Sequence, residues 1–335
     1  MSKYGLMKRI SVLTLTIVLL VLPVVVRNDQ FLVHVLIMAG VYCILAVSLR
    51  FVYLANIWLV GPAAFYAIGA YGVTLLMRAI GLSYWICLPL VGVAVAIIAW
   101  GFGYVTIRVR GLYFAILSIA FIEVVRLTFV NTLGNQMLLM VPAPNPITIP
   151  HLFTIDFASK MDYYYFMLAL FAITLFILFR VERSPIGANF KAITESELLA
   201  ESLGIKVVRH KVLALCIAAF FIGIAGGFFA PYNQTISPES FTIGASMLVL
   251  ILMVVGGTGS IWGPVIGATV LTILPEYLPV SPIVENSIYA VFVILILYFL
   301  PGGLVSLPNV ITGQAWWQKT KEARNNMLAR IRRGF

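Results

Sequence analysis

The feature that most constrains this chain is a series of apolar runs. Residues 10–26, 31–49, 84–107, 163–181 and 212–230 are almost free of charge. A helix needs about 20 consecutive apolar residues to cross hydrocarbon. Inside a bilayer every backbone N–H and C=O must be paired within the protein, so such runs become helices. Only 10% of the residues are charged, whereas a soluble chain carries about a quarter. Spans of this kind use up most of the 335 residues and leave no room for a separate soluble catalytic domain. The expected fold is all-α: a polytopic inner-membrane bundle of roughly ten crossings, some of them short or broken, with both termini cytoplasmic.

The formal net charge is +10. Its basic residues cluster at span ends and in the last 20 residues, which is a positive-inside bias and not a nucleic-acid surface. Cys43, Cys87 and Cys216 lie far apart in apolar runs, so they read as inert buried thiols and form no metal or redox motif. The chain starts with Lys3, Lys8 and Arg9, then an apolar run ending Val24-Val25-Val26-Arg27. That ending is no small-residue cleavage site, so the run reads as an uncleaved first span. Residues 1–315 are expected to form the membrane domain. Residues 316–335 read as a basic cytoplasmic tail, with Trp316-Trp317 as an interfacial anchor against lipid.

Residues 182–211 are the one long charged run between two apolar spans. They carry Arg183, Lys191, Lys206, Arg209, His210 and Lys211. Such a run projects into water, and its basic residues place it inside the cell. Ser184-Pro185 is a helix start, with Pro where no N–H bond is lost. Gly204 is placed for a left-handed cap over which Ile205 closes. Ala192, Ser196, Leu199 and Leu203 recur at helical spacing between these signals, so one short helix with a small-apolar stripe is expected.

The pattern SP-x-G, AI-x-E-x-E, A-E-x-LGI in this loop resembles the cytoplasmic loop of LivM-type permeases, membrane subunits of ABC importers for branched-chain amino acids. So do AAFYAIGAY at 63–71, RG-x-YFAI at 110–116, GG-x-G then GP-x-x-G at 256–267, and PGGL at 301–304. The resemblance implies a loop helix seated in a separate ATPase subunit, with coupling on Glu195, Glu197, Ala200 and Gly204. It also implies a second, LivH-like permease and a substrate-binding protein as partners, in a bacterial plasma membrane. The chain has Thr194 where the family usually has Arg. It lacks the family's glycine-rich run before the prolines at 142–150.

Gly61-Pro62 and Gly263-Pro264 interrupt apolar stretches at comparable places in the two halves, each soon after a Trp (Trp58, Trp262). Paired Gly/Pro breaks point to a translocation path, because freed backbone groups are tolerated only beside water or buried protein. The path or gate is therefore expected to include Gly61, Pro62, Tyr66, Gly257, Gly259, Gly263 and Pro264. Gly263→Leu is expected to stop passage without disturbing assembly. The alternative is a pair of ordinary kinks. The runs 243–256 and 262–275 are short, and read either as two crossings or as a re-entrant hairpin. Glu123 and Arg126, three apart on one intramembrane helix face, can pair. They fit a structural pair or a part in the pathway.

The glycine cluster at 256–263 lacks the GK[ST] ending of a phosphate loop, no Walker pattern occurs, and no cofactor is called for. An intramembrane enzyme would need paired acids, clustered His or a Ser–Lys arrangement. The two alternatives are a urea or short-amide importer subunit and an ion-coupled secondary carrier, the latter with Glu123 as its clearest candidate carboxylate.

Overall fold

The computed structural model describes residues 30–109, 111–133, 160–234, 236–276 and 303–306. The first span, the proline-rich segment before 160, the last span and the tail lie outside these. The described residues are helical, with no strand among them. In chain order the helices are α1 (Gln30–Tyr53), α2 (Pro62–Ala79), α3 (Tyr84–Thr106), α4 (Leu112–Leu133) and α5 (Lys160–Glu182). Then come α6 (Pro185–Glu195), α7 (Glu197–Ser202), α8 (Val207–Asn233), α9 (Ile243–Gly256) and α10 (Trp262–Glu276). Short 3-10 turns stand at Pro238–Phe241 and Leu304–Ser306.

Among the described residues, five helices are long and apolar enough to cross a membrane: α1, α3, α4, α5 and α8. The chain is a multi-pass membrane protein by this measure. The core is built on α8, which packs against α2 and α3, with α1 beside it. Small residues let these backbones meet. A Cβ on Gly69 would sit 2.2 Å from the Gly223 carbonyl, and one on Gly226 would sit 2.1 Å from that of Tyr66. Gly223 and Gly227 also face packed neighbours, Val95 and Val73. His34 is a packing residue of the far end: its ring stacks on Tyr232 and its Nδ1 lies in hydrogen-bonding contact with the Tyr232 hydroxyl.

The short runs after 242 form an antiparallel pair of helices, α9 of 14 residues and α10 of 15. At 1.5 Å per residue each is about 21–23 Å long, less than a hydrocarbon core of about 30 Å. The 3-10 turn at Pro238–Phe241 precedes α9 and brings Phe241 against Tyr66 and Tyr71 of α2. The hairpin tip reaches the same end of the bundle as α6 and α7, where Arg50 meets the Thr258 carbonyl.

One expectation is corrected here. The polar loop is two helices, not one. Ser196 takes an extended conformation (φ −163°, ψ 114°) and its hydroxyl accepts from the Leu199 N–H, capping α7. Serine competes with helical backbone bonds in this way and is favoured at such caps. The C-terminal end forms as the sequence predicts. Gly204 has φ +82°, its N–H donates to the Glu201 carbonyl, and the Ile205 N–H donates to that of Ala200. This is a Schellman cap, and Ile205 packs on Ile193, Ala200 and Val207.

Candidate functional site: a cavity between two helix breaks and the loop beneath it

At the first break the chain leaves α1, turns through Asn56 in the left-handed region (φ +56°), and runs without helix to Gly61. Pro62 opens α2 at its first position, where the missing N–H costs nothing. The freed backbone groups are met by hydroxyls from two other helices. Val60 N–H donates to Ser118 Oγ of α4 (3.1 Å), and Ala63 N–H donates to Ser246 Oγ of α9 (3.0 Å). Both serines are buried, so these bonds replace water that cannot reach the site. A Cβ on Gly61 would lie 2.2 Å from the Ser118 carbonyl oxygen.

The second break is held by backbone against backbone. A Cβ on Gly263 would stand 1.8 Å from the Gly257 oxygen, and one on Gly256 would stand 2.0 Å from the Gly263 oxygen. Gly257 (φ +104°) and Gly303 (φ +76°) occupy conformations closed to most side chains. Gly263→Leu therefore disrupts the hairpin itself and cannot isolate passage from assembly, contrary to the sequence expectation.

Among the described residues, one cavity touches both breaks and another borders the first. The one at both breaks, of about 490 Å³, is lined by Leu49, Tyr53, Trp58, Met253, Gly257 and Thr258, among others including Gly259. The other, of about 230 Å³, is lined by Met38, Tyr42, Leu45, Pro62, Tyr66 and Val249, among others. Met38, Tyr42, Leu45, Leu49 and Tyr53 are one stripe of α1 at i+3/i+4 spacing, so a single helix face serves both chambers. Tyr66 is fixed by ring contacts with Phe229 and Phe241. Gly61, Gly263 and Pro264 are not in either lining; they sit behind it and set the backbone that is. Glu123 and Arg126 do pair (Nε to Oε2 2.9 Å), yet their side chains are 36% and 29% exposed and lie outside both linings. They flank the stripe Phe114, Ser118, Ile122, Val125 that α4 buries.

The polar loop turns one face to the bundle and one away. Phe190, Ile193, Ala200 and Val207 are buried, while Leu198, Leu199 and Leu203 are 78%, 65% and 77% exposed. Of the residues expected to couple, Glu195 and Gly204 face outward. Ala200 is buried against Ile193 and Val207. Glu197 points into the protein, accepting from Asn56 Nδ2 (2.9 Å) and Lys211 Nζ (2.6 Å). Thr194 Oγ1 donates to the Leu54 carbonyl (2.6 Å). Both contacts tie the loop to the segment that leads into the first break.

A second tie went unread in the sequence. Arg50 is 1% exposed. It forks onto Glu182 (Nη1 to Oε2 2.8 Å, Nη2 to Oε1 3.2 Å) and donates Nε to the Thr258 carbonyl (2.8 Å). In sequence Arg50 follows the apolar run 31–49 and reads as no more than the end of a span. The signal that it does more is its place before the continuing apolar residues Phe51 and Val52, where a lone charge requires a partner.

Comparison with known proteins bears on what this arrangement serves. The family model described as "Branched-chain amino acid transport system / permease component" matches residues 31–301. The LivM high-affinity branched-chain amino acid transport permease of Salmonella typhimurium strain LT2 is 32% identical over 291 residues, 80% of this chain and 68% of that protein. LivM of Escherichia coli K12 is 34% identical over 258 residues, 70% of this chain and 61% of its own length. LivH of Escherichia coli K12 is 31% identical over 147 residues, 43% of this chain and 46% of LivH. No solved structure matches. The chain belongs to the family of branched-chain amino acid transport system permease components.

Proposed function

We propose that this chain is the membrane-spanning permease subunit of an ABC importer. It carries branched-chain or related neutral amino acids, delivered by a binding protein outside the cell and driven by ATP hydrolysis in separate subunits. The observation that carries this reading is the polar loop: three leucines stand exposed on one face, while its other face is tied to the segments flanking a cavity of about 490 Å³. An exposed apolar patch outside hydrocarbon marks a protein contact, and an ATPase subunit is the partner the family supplies. Glu195 and Gly204 then belong to the contact itself. Glu197 and Ala200 hold the loop in shape behind it. The two chambers form the solute route, with Pro62, Tyr66, Gly257 and Gly259 on its wall and Gly61, Gly263 and Pro264 setting its backbone.

In this reading the chain makes roughly ten crossings of a bacterial inner membrane, with both ends in the cytoplasm. Residues 1–315 form the permease domain and 316–335 a basic tail on the inner leaflet. A LivH-like permease is its second half. The chambers are largely apolar, which suits a route that passes neutral side chains and leaves selection to the binding protein. Uptake of radiolabelled leucine, with and without the ATPase gene and with excess urea as competitor, tests the reading. Leucine uptake that vanishes with the ATPase and ignores urea is expected. Uptake surviving the deletion would mean a secondary carrier.

A further inference from the structure

Two elements of different origin converge on Arg50 of a third. Glu182 is the last residue of α5, immediately before the polar loop. Thr258 sits at the tip of the α9–α10 hairpin, between Gly257 and Gly259 on the wall of the larger cavity. Arg50 belongs to α1 and joins the two through different nitrogens, its terminal fork on the carboxylate and its Nε on the carbonyl. The loop is attached firmly to Glu182. A Cβ on Gly187 would stand 2.2 Å from the Glu182 carbonyl oxygen, so the first turn of α6 lies directly on the end of α5. Lys191, two turns along α6 from Pro185, brings its Nζ within 3.9 Å of the same carboxylate.

We propose that Lys191, Glu182 and Arg50 form a relay by which movement of α6 shifts the Thr258 tip and opens or closes the larger cavity, making Arg50 a positioning residue of that gate. The proposal rests on the importer reading above and deepens it by naming the route of the drive. Burial favours this route over the other tie. The Arg50 side chain is 2% exposed and its fork is bidentate, so its bonds are short and directional and are not screened by water. The Asn56–Glu197 bond lies at the surface. Lysine at position 50 retains the charge but presents a single ammonium on a flexible stem. It lacks the planar fork that holds two partners in different directions.

The test uses the full chain, reconstituted with its sister permease, ATPase subunits and binding protein in lipid vesicles. The readout is ATP hydrolysed per leucine imported. Arg50→Lys is expected to raise that ratio about tenfold, within the reach of residues that carry coupling between sites. A ratio within about twofold of the unaltered complex, with uptake and hydrolysis falling together, would reduce Arg50 to a brace and overturn the relay. The unaltered position 50 offers a second measurement that no folding defect at Arg50 can spoil. Thr258→Cys is labelled with a membrane-impermeant maleimide, without nucleotide and with ATP plus vanadate, against the background of Cys43, Cys87 and Cys216. A severalfold change in labelling rate supports the relay, and an unchanged rate overturns it. If the unaltered complex imports no leucine the importer reading fails by itself, and the maleimide rates still decide whether nucleotide moves the tip.

Discussion

The two helix breaks look alike in sequence and are held in different ways. Before α2 the chain runs without helix into the bundle, and the Val60 and Ala63 N–H groups are satisfied by Ser118 and Ser246 of two other helices. Before α10 the chain turns tightly, and glycine lies on glycine with no room for a methyl group. The first break is fastened by hydroxyls of two other helices and by the close approach of Gly61 to Ser118, the second by glycine packed on glycine within its own hairpin and by the Arg50 bond to its tip. A pair of Gly/Pro interruptions thus need not be two copies of one hinge. One can be the adjustable side of a route and the other its rigid tip, moved as a unit. Arg50 grips that tip from a buried position, whereas the polar loop grips the first segment through Asn56 and Glu197 near water.

The largest effect that would sharpen this contrast comes from removing the grip on the tip. Arg50→Met leaves Glu182 as a mostly buried carboxylate without its fork. Breaking a buried pair from one side costs about 3–5 kcal/mol, and thermal unfolding of the detergent-solubilised complex should show it. The double variant Arg50→Met/Glu182→Leu should recover much of the loss, since a hydrophobic replacement of both partners is often neutral. Gly263→Ala comes next. Its methyl would meet a backbone oxygen at 1.8 Å, a contact that no side-chain rotation relieves, and overpacking of this kind costs about 1–3 kcal/mol or more. A Gly263→Ala protein of undiminished stability would mean that the second break yields as easily as the first.

Ser246→Ala probes the other break. It leaves the buried Ala63 N–H without an acceptor, for which about 1–3 kcal/mol is the usual cost. Because that bond joins α9 to the start of α2, leucine uptake should fall in the Ser246→Ala complex before its amount in the membrane does. Ser246→Thr, which keeps the acceptor, should restore uptake. Loss of protein in step with uptake, unrescued by threonine, would make the first break as rigid as the second.

What was readable from sequence divides along the same line. Local signals were legible: the apolar runs placed α1, α3, α5 and α8, and Gly204 with Ile205 announced its cap. The bend at Ser196 was hidden because the apolar spacing runs unbroken through it, and only its extended backbone stops the helix. The Arg50 grip was hidden because its partners are 132 and 208 residues away. Nothing in a glycine's neighbours says whether a carbonyl or open space faces it. Gly263 and Gly259 read the same in the chain, yet one is pressed against backbone and the other meets nothing. Ser118 and Ser246 could have been found by asking which hydroxyls satisfy a broken helix, a question the break itself poses.

The smallest effect belongs to the water-facing grip on the first break. Asn56 has positive φ, so alanine there would add backbone strain to the loss of its side chain. Asn56→Gly removes the bond to Glu197 while keeping a residue at ease in that conformation. Glu197 retains Lys211 as a partner at 2.6 Å, so no charge is stranded. A partly exposed hydrogen bond of this kind contributes about 0.5–1.5 kcal/mol, and salt should change it little because Asn56 carries no charge. The expected unfolding midpoint is therefore close to that of the unaltered chain, measured in the same detergent at low and high salt. A loss as large as that of Arg50→Met would place both grips on equal footing and remove the asymmetry between the breaks. A small loss of stability with a clear loss of leucine uptake would locate the weakness of this grip in transport, where an adjustable segment needs a contact that releases as readily as it forms.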